Sequence, residues 1–269
     1  MLLNCTPSRR LTFGFLLLLV WSVLGTLSPV GRAQSPAPDP ALLNHVRARM
    51  QQNLATLPNY TCDVNIGRYW RNGHKKRWTP YDRVQLSLTV VDRVELYGRR
   101  RGGEMQQDDP RRLVPTGTIG NGEFAAIAET LFRSDAPQFH YAGVGQFEGR
   151  AAVRFDYVVP VERSKYDVTG DGRTARVPFH GSFWAAMDTL DVIRIELRAD
   201  QIPAPLGLRK VSDVVEYDSV PVAGRTVLLP REGLNEIDAA DGQDSLNHTK
   251  FQNCHEYKGE ARMLPGDGN

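Results

Sequence analysis

Ser182 is the first place to look for a nucleophile, because it follows a glycine in His180-Gly-Ser-Phe-Trp184. A nucleophile elbow needs G-x-S-x-G spacing so that the chain can turn sharply from strand into helix, and the second glycine is missing. Ser182 therefore reads as a strand residue. Gly143-Val-Gly145-Gln-Phe-Glu-Gly149 approaches a dinucleotide fingerprint but has one residue too many. No helix follows to point its N-terminus at a phosphate, so a hairpin is expected there. Asp167-Val-Thr-Gly-Asp171-Gly172 opens like a calcium loop, yet the twelfth position, which must supply a carboxylate, is Pro178. The same residues are ordinary turn formers. His248, Cys254 and His255 are the tightest group of metal-ligand types, but neighbouring strand residues point to opposite faces, and a disulfide-bonded cysteine cannot ligate. The expectation is a protein with no metal, no cofactor and no catalytic residues, and not an enzyme. A secreted hydrolase, whose site no motif reveals, is the remote alternative.

The first 33 residues supply the setting. Arg9 and Arg10 precede an apolar stretch from Leu11 to Leu27, and Gly31-Arg32-Ala33 places small residues where a signal peptidase requires them. Residues 1–33 read as a secretory signal peptide, with an uncleaved anchor as the alternative. An exported, periplasmic or secreted protein follows. Without that segment the chain has 30 Lys and Arg against 31 Asp and Glu, a net charge of −1. That balance lacks the basic footprint by which proteins displace counterions from nucleic acid. Hydrophobic residues at 41% and charged ones at 24% suit a globular domain. No later run approaches the roughly 18 apolar residues of a membrane span.

Cys5 leaves with the signal, so Cys62 and Cys254 remain. In an oxidising compartment an even count favours pairing, with two buried free thiols as the alternative. Such a bridge would close a loop of about 190 residues and contribute on the order of 4–5 kcal/mol by the chain-entropy model. It would also set the first and last strands side by side. Asn59-Tyr-Thr61 and Asn247-His-Thr249 match glycosylation sequons, which matter only in a eukaryotic secretory pathway.

The elements that must carry these residues follow from periodicity. Residues 34–38 form a flexible lead, 39–260 a single domain and 261–269 a tail. Asp39 is placed as an N-cap and Pro40 as the first helical residue. Leu43, Val46, Met50, Leu54 and Leu57 then recur at spacings of three and four, one apolar stripe on a helix ending at Pro58. From Tyr60 the period becomes two: Tyr60, Cys62, Val64 and Ile66, then Val84, Leu86, Leu88 and Val90, each alternate with polar residues. Asn72-Gly73 marks a hairpin turn between them. Residues 98–122, rich in Gly, Pro, Arg and Asp, read as a long loop. Its arginines at 99–101 and 111–112 are either simply solvated or meet anionic headgroups. A second helix is expected over about 123–132, with Phe124, Ile127 and Leu131 on one face. Strands follow at 153–159, 181–187, 192–199, 211–217, 225–230 and about 247–258. They make an antiparallel meander with one dry and one wet face. The dry face needs a filling, and one curved sheet holding the helices in its concavity provides it. A two-sheet sandwich is the alternative.

The run Phe183-Trp-Ala-Ala-Met-Asp188-Thr189-Leu190, then Val192-Ile-Arg-Ile-Glu-Leu197, Val214-Val-Glu-Tyr217-Asp-Ser-Val220, Val222-Ala-Gly224-Arg225 and Leu228-Leu-Pro230 resembles bacterial periplasmic lipoprotein-sorting (LolA-like) proteins. Residue detail is similar over 181–230, and the order of elements over 40–258. The resemblance implies an α+β, mainly β fold: a curved antiparallel sheet forming an unclosed β-barrel, with helices covering the concave face. It also implies a non-enzymatic binding protein that carries or senses acyl chains or lipoproteins in the envelope. The inward residues Phe155, Tyr157, Ile193, Ile195 and Leu197 would then line a core or an acyl pocket. A protein–protein scaffold of the envelope, with no small ligand, is the competing function.

Overall fold

In the computed structural model the described residues are 40–258, apart from 74, 76, 102–103, 115–117 and 120–123. The segments read as signal peptide, lead and tail, and the Asp39 cap, lie outside them. Helix α1, Pro40–Ala55, carries the stripe read from the sequence, with Val46, Met50 and Leu54 buried. Strands β1 (Tyr60–Asn72), β2 (Thr79–Val91), β3 (Val94–Arg101) and β4 (Glu104–Gln107) follow, then the short helix α2 (Pro110–Leu113) and α3 (Phe124–Arg133). The rest is strand: β5 (Gln138–Phe147), β6 (Arg150–Val159), β7 (Asp167–Gly170), β8 (Arg173–Arg176), β9 (Phe179–Ala186), β10 (Val192–Ala199), β11 (Leu208–Val222), β12 (Arg225–Ala239) and β13 (Gln243–Glu256).

Eleven of these strands form one antiparallel sheet in the order β4-β3-β2-β1-β13-β12-β11-β10-β9-β6-β5, and β7 pairs with β8 apart from it. The chain starts near the middle of the sheet and meanders out to one edge. It then passes through α2 and α3 to the opposite edge and meanders back until β13 pairs with β1. The edge strands β4 and β5 do not pair with each other, so the barrel is unclosed. Its curvature follows from α3. Glu129 reaches Arg93 in the β2–β3 turn at 4.0 Å, while Phe132, one turn along, packs its ring 5.1 Å from Phe183 on β9. In a flat sheet those strands would stand about 29 Å apart, six spacings of about 4.8 Å. The sheet must curl around the helix.

Alternation sorts the faces as expected. Tyr60, Cys62, Val64 and Ile66 are buried, as are Val84, Leu86, Leu88 and Val90, and all join one core with Ile127, Leu131 and Phe132 of α3. Turn chemistry matches as well. The β5–β6, β7–β8 and β11–β12 hairpins turn at Glu148-Gly149, Asp171-Gly172 and Ala223-Gly224, each pair with positive φ, the conformation that fits strand twist. The supposed calcium loop and dinucleotide loop are thus hairpins.

Two expectations need correction. Residues 98–122 are not one loop, because Arg99, Arg100 and Arg101 lie in β3 and pair with Gln106, Met105 and Glu104 of β4. This hairpin lies at the sheet edge, where backbone pairing suffices and no apolar alternation is required. Strands β11, β12 and β13 also run longer than read, at 15, 15 and 14 residues. Their extensions mix apolar residues such as Val222 and Ile237 with ion pairs, such as Lys210–Asp238 at 2.9 Å and Arg71–Glu236 at 2.8 Å.

Cys62 and Cys254 form a disulfide across the β1–β13 pair, with Cα atoms 4.2 Å apart. The ladder shifts register at this point, and Asn253 takes positive φ while its amide donates to Asp63 at 2.7 Å. Replacing both cysteines by serine is expected to remove about 2–5 kcal/mol of stability. Urea denaturation of the double variant measures it, and an unchanged midpoint would show that the ladder alone holds the seam.

Candidate ligand-binding crevice

Helix α1 lies over the strands with its stripe turned inward. Met50, Leu54 and Leu57 face Tyr60, Leu88 and Tyr217, and the crevice between them retains a cavity of only about 30 Å³. That is room for about one water, so the site is shut. Burial pushes the Tyr60 and Tyr217 hydroxyls well above the ordinary tyrosine range, with the Glu95 carboxylate adding to the shift. Both phenols are neutral, apolar walls with a polar tip.

The helix is fastened at its polar margin. Asp191, in the β9–β10 turn, accepts Arg49 Nε at 2.8 Å and Asn53 Nδ2 at 2.9 Å. These two residues are four apart and so lie on one side of α1. Gln51 donates to the Phe132 carbonyl at 2.6 Å and Arg47 to that of Ser134 at 3.1 Å, tying α1 to the end of α3. Burial alone would raise the Asp191 pKa. Hydrogen bonds from Arg49 and Asn53, with the Arg49 charge and the Thr189 hydroxyl, outweigh it and hold the carboxyl below its usual value.

Four of the five residues read as lining lie in the main core: Phe155, Tyr157, Ile195 and Leu197. Phe155 stacks on Phe183 at 5.3 Å, Phe183 meets Phe132 of α3 at 5.1 Å, and none of the four borders the crevice under α1. Ile193 does not share their face. A register shift between Val192 and Arg194 turns it into a separate small cluster with Ala152 and Ala186, against Phe147 and Trp184. Tyr157 spans β9 to donate to the Glu196 carbonyl at 2.7 Å. It passes over Gly181, where a Cβ would come within 1.8 Å of the Glu196 oxygen. Only glycine fits there.

The remaining chemical candidates have structural partners. Ser182 donates to Asp156 at 2.6 Å and accepts from Arg154 at 2.9 Å. His248 pairs with Glu232. Asn247 of the second sequon is buried. Among the described residues no group of three or more His, Cys, Asp or Glu could hold a metal. No described helix is long and apolar enough to cross a membrane.

Sequence reasoning missed the polar residues of the concave face. Arg68 continues the inward positions of β1 after Ile66, and its neighbours in register are Asp82 on one side and Asn247 on the other. Asn247 lies opposite Asn235, and Asn235 opposite Asp213. Burial raises the Asp213 pKa, partly offset by hydrogen bonds from Tyr166 at 2.5 Å and Asn235 at 2.6 Å. A polar belt, buried at Arg68, Asn247 and Asp213, therefore crosses five strands from the exposed Asp82 on β2 to β11. Its signal was legible: polar residues at positions where period two calls for apolar ones.

An open antiparallel half-barrel with a helix seated on its concave face is the class of fold these features define. No protein-family model matches the chain. No curated protein matches it in sequence. Among solved structures it is similar to a DUF1329 family protein from Desulfovibrio piger, with TM-score 0.41 and 12% identity over 81% of this chain and 92% of that one. It is also similar to a LolA superfamily protein from Nitrosomonas europaea, at 0.37 and 10% over 83% and 97%. A putative outer membrane lipoprotein-sorting protein domain from Vibrio parahaemolyticus follows, at 0.39 and 10% over 82% and 93%. At 10–12% identity each of these likenesses is remote.

The fastening of α1 depends on pH. With its folded pKa below the ordinary 3.8, the Asp191 carboxylate contributes fully above that value and loses its contribution as the pH falls through the folded one. The half-exposed Arg49 limits this to about 1 kcal/mol. Measured against intrinsic exchange at each pH, protection of the α1 amides should therefore fall on acidification more than protection of the β1 amides. The difference should vanish in Asp191→Asn; an Asp191→Asn protein with the wild-type acid response would show that another group controls the helix.

Proposed function

We propose that the protein is an exported, non-enzymatic binding protein that takes acyl chains, free or carried by lipoproteins, into the crevice beneath α1. The observation that carries this reading is the seating of α1. It closes an apolar face of an unclosed sheet with one buried stripe and a few polar ties, so it can lift without unpairing any strand. Lifting it exposes Val46, Met50 and Leu54, at about 1.5–3 kcal/mol each. An acyl chain returns about 0.8 kcal/mol per buried CH₂, so roughly six to eleven methylenes offset the loss. Short chains fall below that threshold.

Displacement of a fluorescent acyl probe from the delipidated protein tests this. Hexanoate should fail to compete, and palmitate should compete strongly. Equal competition by both, or by neither, would defeat the reading.

The residues first read as lining, Phe155, Tyr157, Ile195 and Leu197, form the packed floor below α3 in this view, and the moving wall is α1. Residues 1–33 act as the export signal, and the Cys62–Cys254 bridge suits the oxidising compartment beyond the membrane.

A second reading, a scaffold for another envelope protein, is favoured by β5. This edge strand, Gln138–Phe147, has an unpaired side and contains no Asp, Glu, Lys or Arg. Edge strands are ordinarily blunted by such charges, and an unblunted one accepts an added strand. Val144→Lys should then abolish a stoichiometric complex in envelope pull-downs; a complex that survives the substitution places the partner elsewhere.

A further inference from the structure

Away from α1, the concave face holds a second, larger hollow of about 360 Å³. Small-molecule sites fall within about 300–1,000 Å³. Register sets its wall: Arg68 lies beside Asn247, and Trp70 beside Ser245. Tyr81, at the irregularity in the β1–β2 ladder, lies under the Arg68 guanidinium, 5.1 Å from its ring centroid. Trp70 is 40% exposed and Tyr81 52%, whereas Arg68 and Asn247 are 3% and 2% exposed. Two exposed aromatic rings beside buried, directed hydrogen-bonding groups are not what a solvated sheet end requires.

Charge narrows the ligand class. Arg68 donates to both oxygens of Asp82, at 2.6 and 2.5 Å, and to the Thr118 carbonyl at 3.4 Å. Asp244, at the rim, is held between Arg71 at 3.2 Å and Arg209 at 3.3 Å. Both charges are compensated, so an anion gains little. A cation would meet the like charges of Arg68 and Lys75, which lie 5.1 and 6.0 Å from the Tyr81 and Trp70 ring centroids. An acyl chain would lie against the polar groups of Arg68, Ser245 and Asn247 instead of a methylene-lined wall. The remaining match is an uncharged ring with apolar C–H faces and hydroxyls around its edge.

We propose that the hollow bounded by Arg68, Trp70, Tyr81, Ser245 and Asn247 is a binding site for a neutral saccharide. The ring stacks on Trp70, and its hydroxyls exchange hydrogen bonds with Ser245 and Asn247. The site is distinct from the crevice under α1 and does not depend on acyl binding.

Saturation-transfer NMR on the full chain with maltose, cellobiose and N,N′-diacetylchitobiose tests it, with phosphocholine and inorganic phosphate as charged controls. At least one disaccharide should receive saturation at its ring C–H protons. Its affinity should fall about tenfold or more in Trp70→Ala and in Ser245→Ala. Both replaced side chains lie outside the core, so the urea midpoint should stay at the wild-type value. No transfer to any of the three sugars would overturn the proposal. So would transfer that survives both substitutions, or tighter binding of phosphocholine or phosphate than of every sugar.

Discussion

The backbone pairing of β1 with β13 is the contact on which the rest of the sheet depends. Tyr60 to Asn72 runs against Gln243 to Glu256, joining a four-strand meander to a seven-strand one. Every other pairing in the sheet lies within one of those two halves. Without the seam, α1 would have no continuous surface to cover, because its partners Leu88 and Tyr217 belong to different halves. The disulfide sits within this seam, where a cross-link constrains the longest loop the domain contains.

Joining the halves produces a concave face with two characters. Under α1 and α3 it is apolar and filled, with aromatic rings of β6 and β9 interlocked against Phe132. Beyond them runs the belt of Arg68, Asn247, Asn235 and Asp213, most of it satisfied by neighbours along the row. The Asn235 side-chain oxygen Oδ1 is the exception, buried without a partner among the described residues. The outer face is managed differently. Arg154 and Arg194 lie over Trp184, and Arg194 and Arg231 both bind Glu216 at 2.5 Å. Guanidinium groups cover the outer aromatic side chains there, so the sheet is wet outside without a second layer.

What the residues revealed in advance was periodicity. The stripe Val46-Met50-Leu54 and the alternation in β1, β2 and β6 were visible because burial on one face dictates apolar spacing locally. The side-by-side placement of the first and last strands was legible from the cysteines alone. The edge hairpin of β3 and β4 was hidden, because its strands are held by backbone pairing and carry no hydrophobic code. Ile193 was misassigned because a single register shift inverts parity, and nothing in Val192-Ile-Arg-Ile marks where it falls. The fastening at Asp191 lay beyond any local reading: it joins residues about 140 positions apart, and only the curl of the sheet brings them together. Arg68, Asn235 and Asp213 were readable as polar intruders on a dry face, but their common row required the register.

The central position of the seam has a consequence for how the molecule is made. Strands β1 to β4 take their place early in the chain, yet the inner strand of their meander, β1, finds its second neighbour only once residues 243–256 are free. The early half must therefore wait as an incomplete layer, with β1 presenting an open flank and a reduced Cys62. Pairing across so long a sequence separation makes assembly slow by contact order. Final shape is locked from the tail end inward, and oxidation of the thiols records that the last strand has arrived.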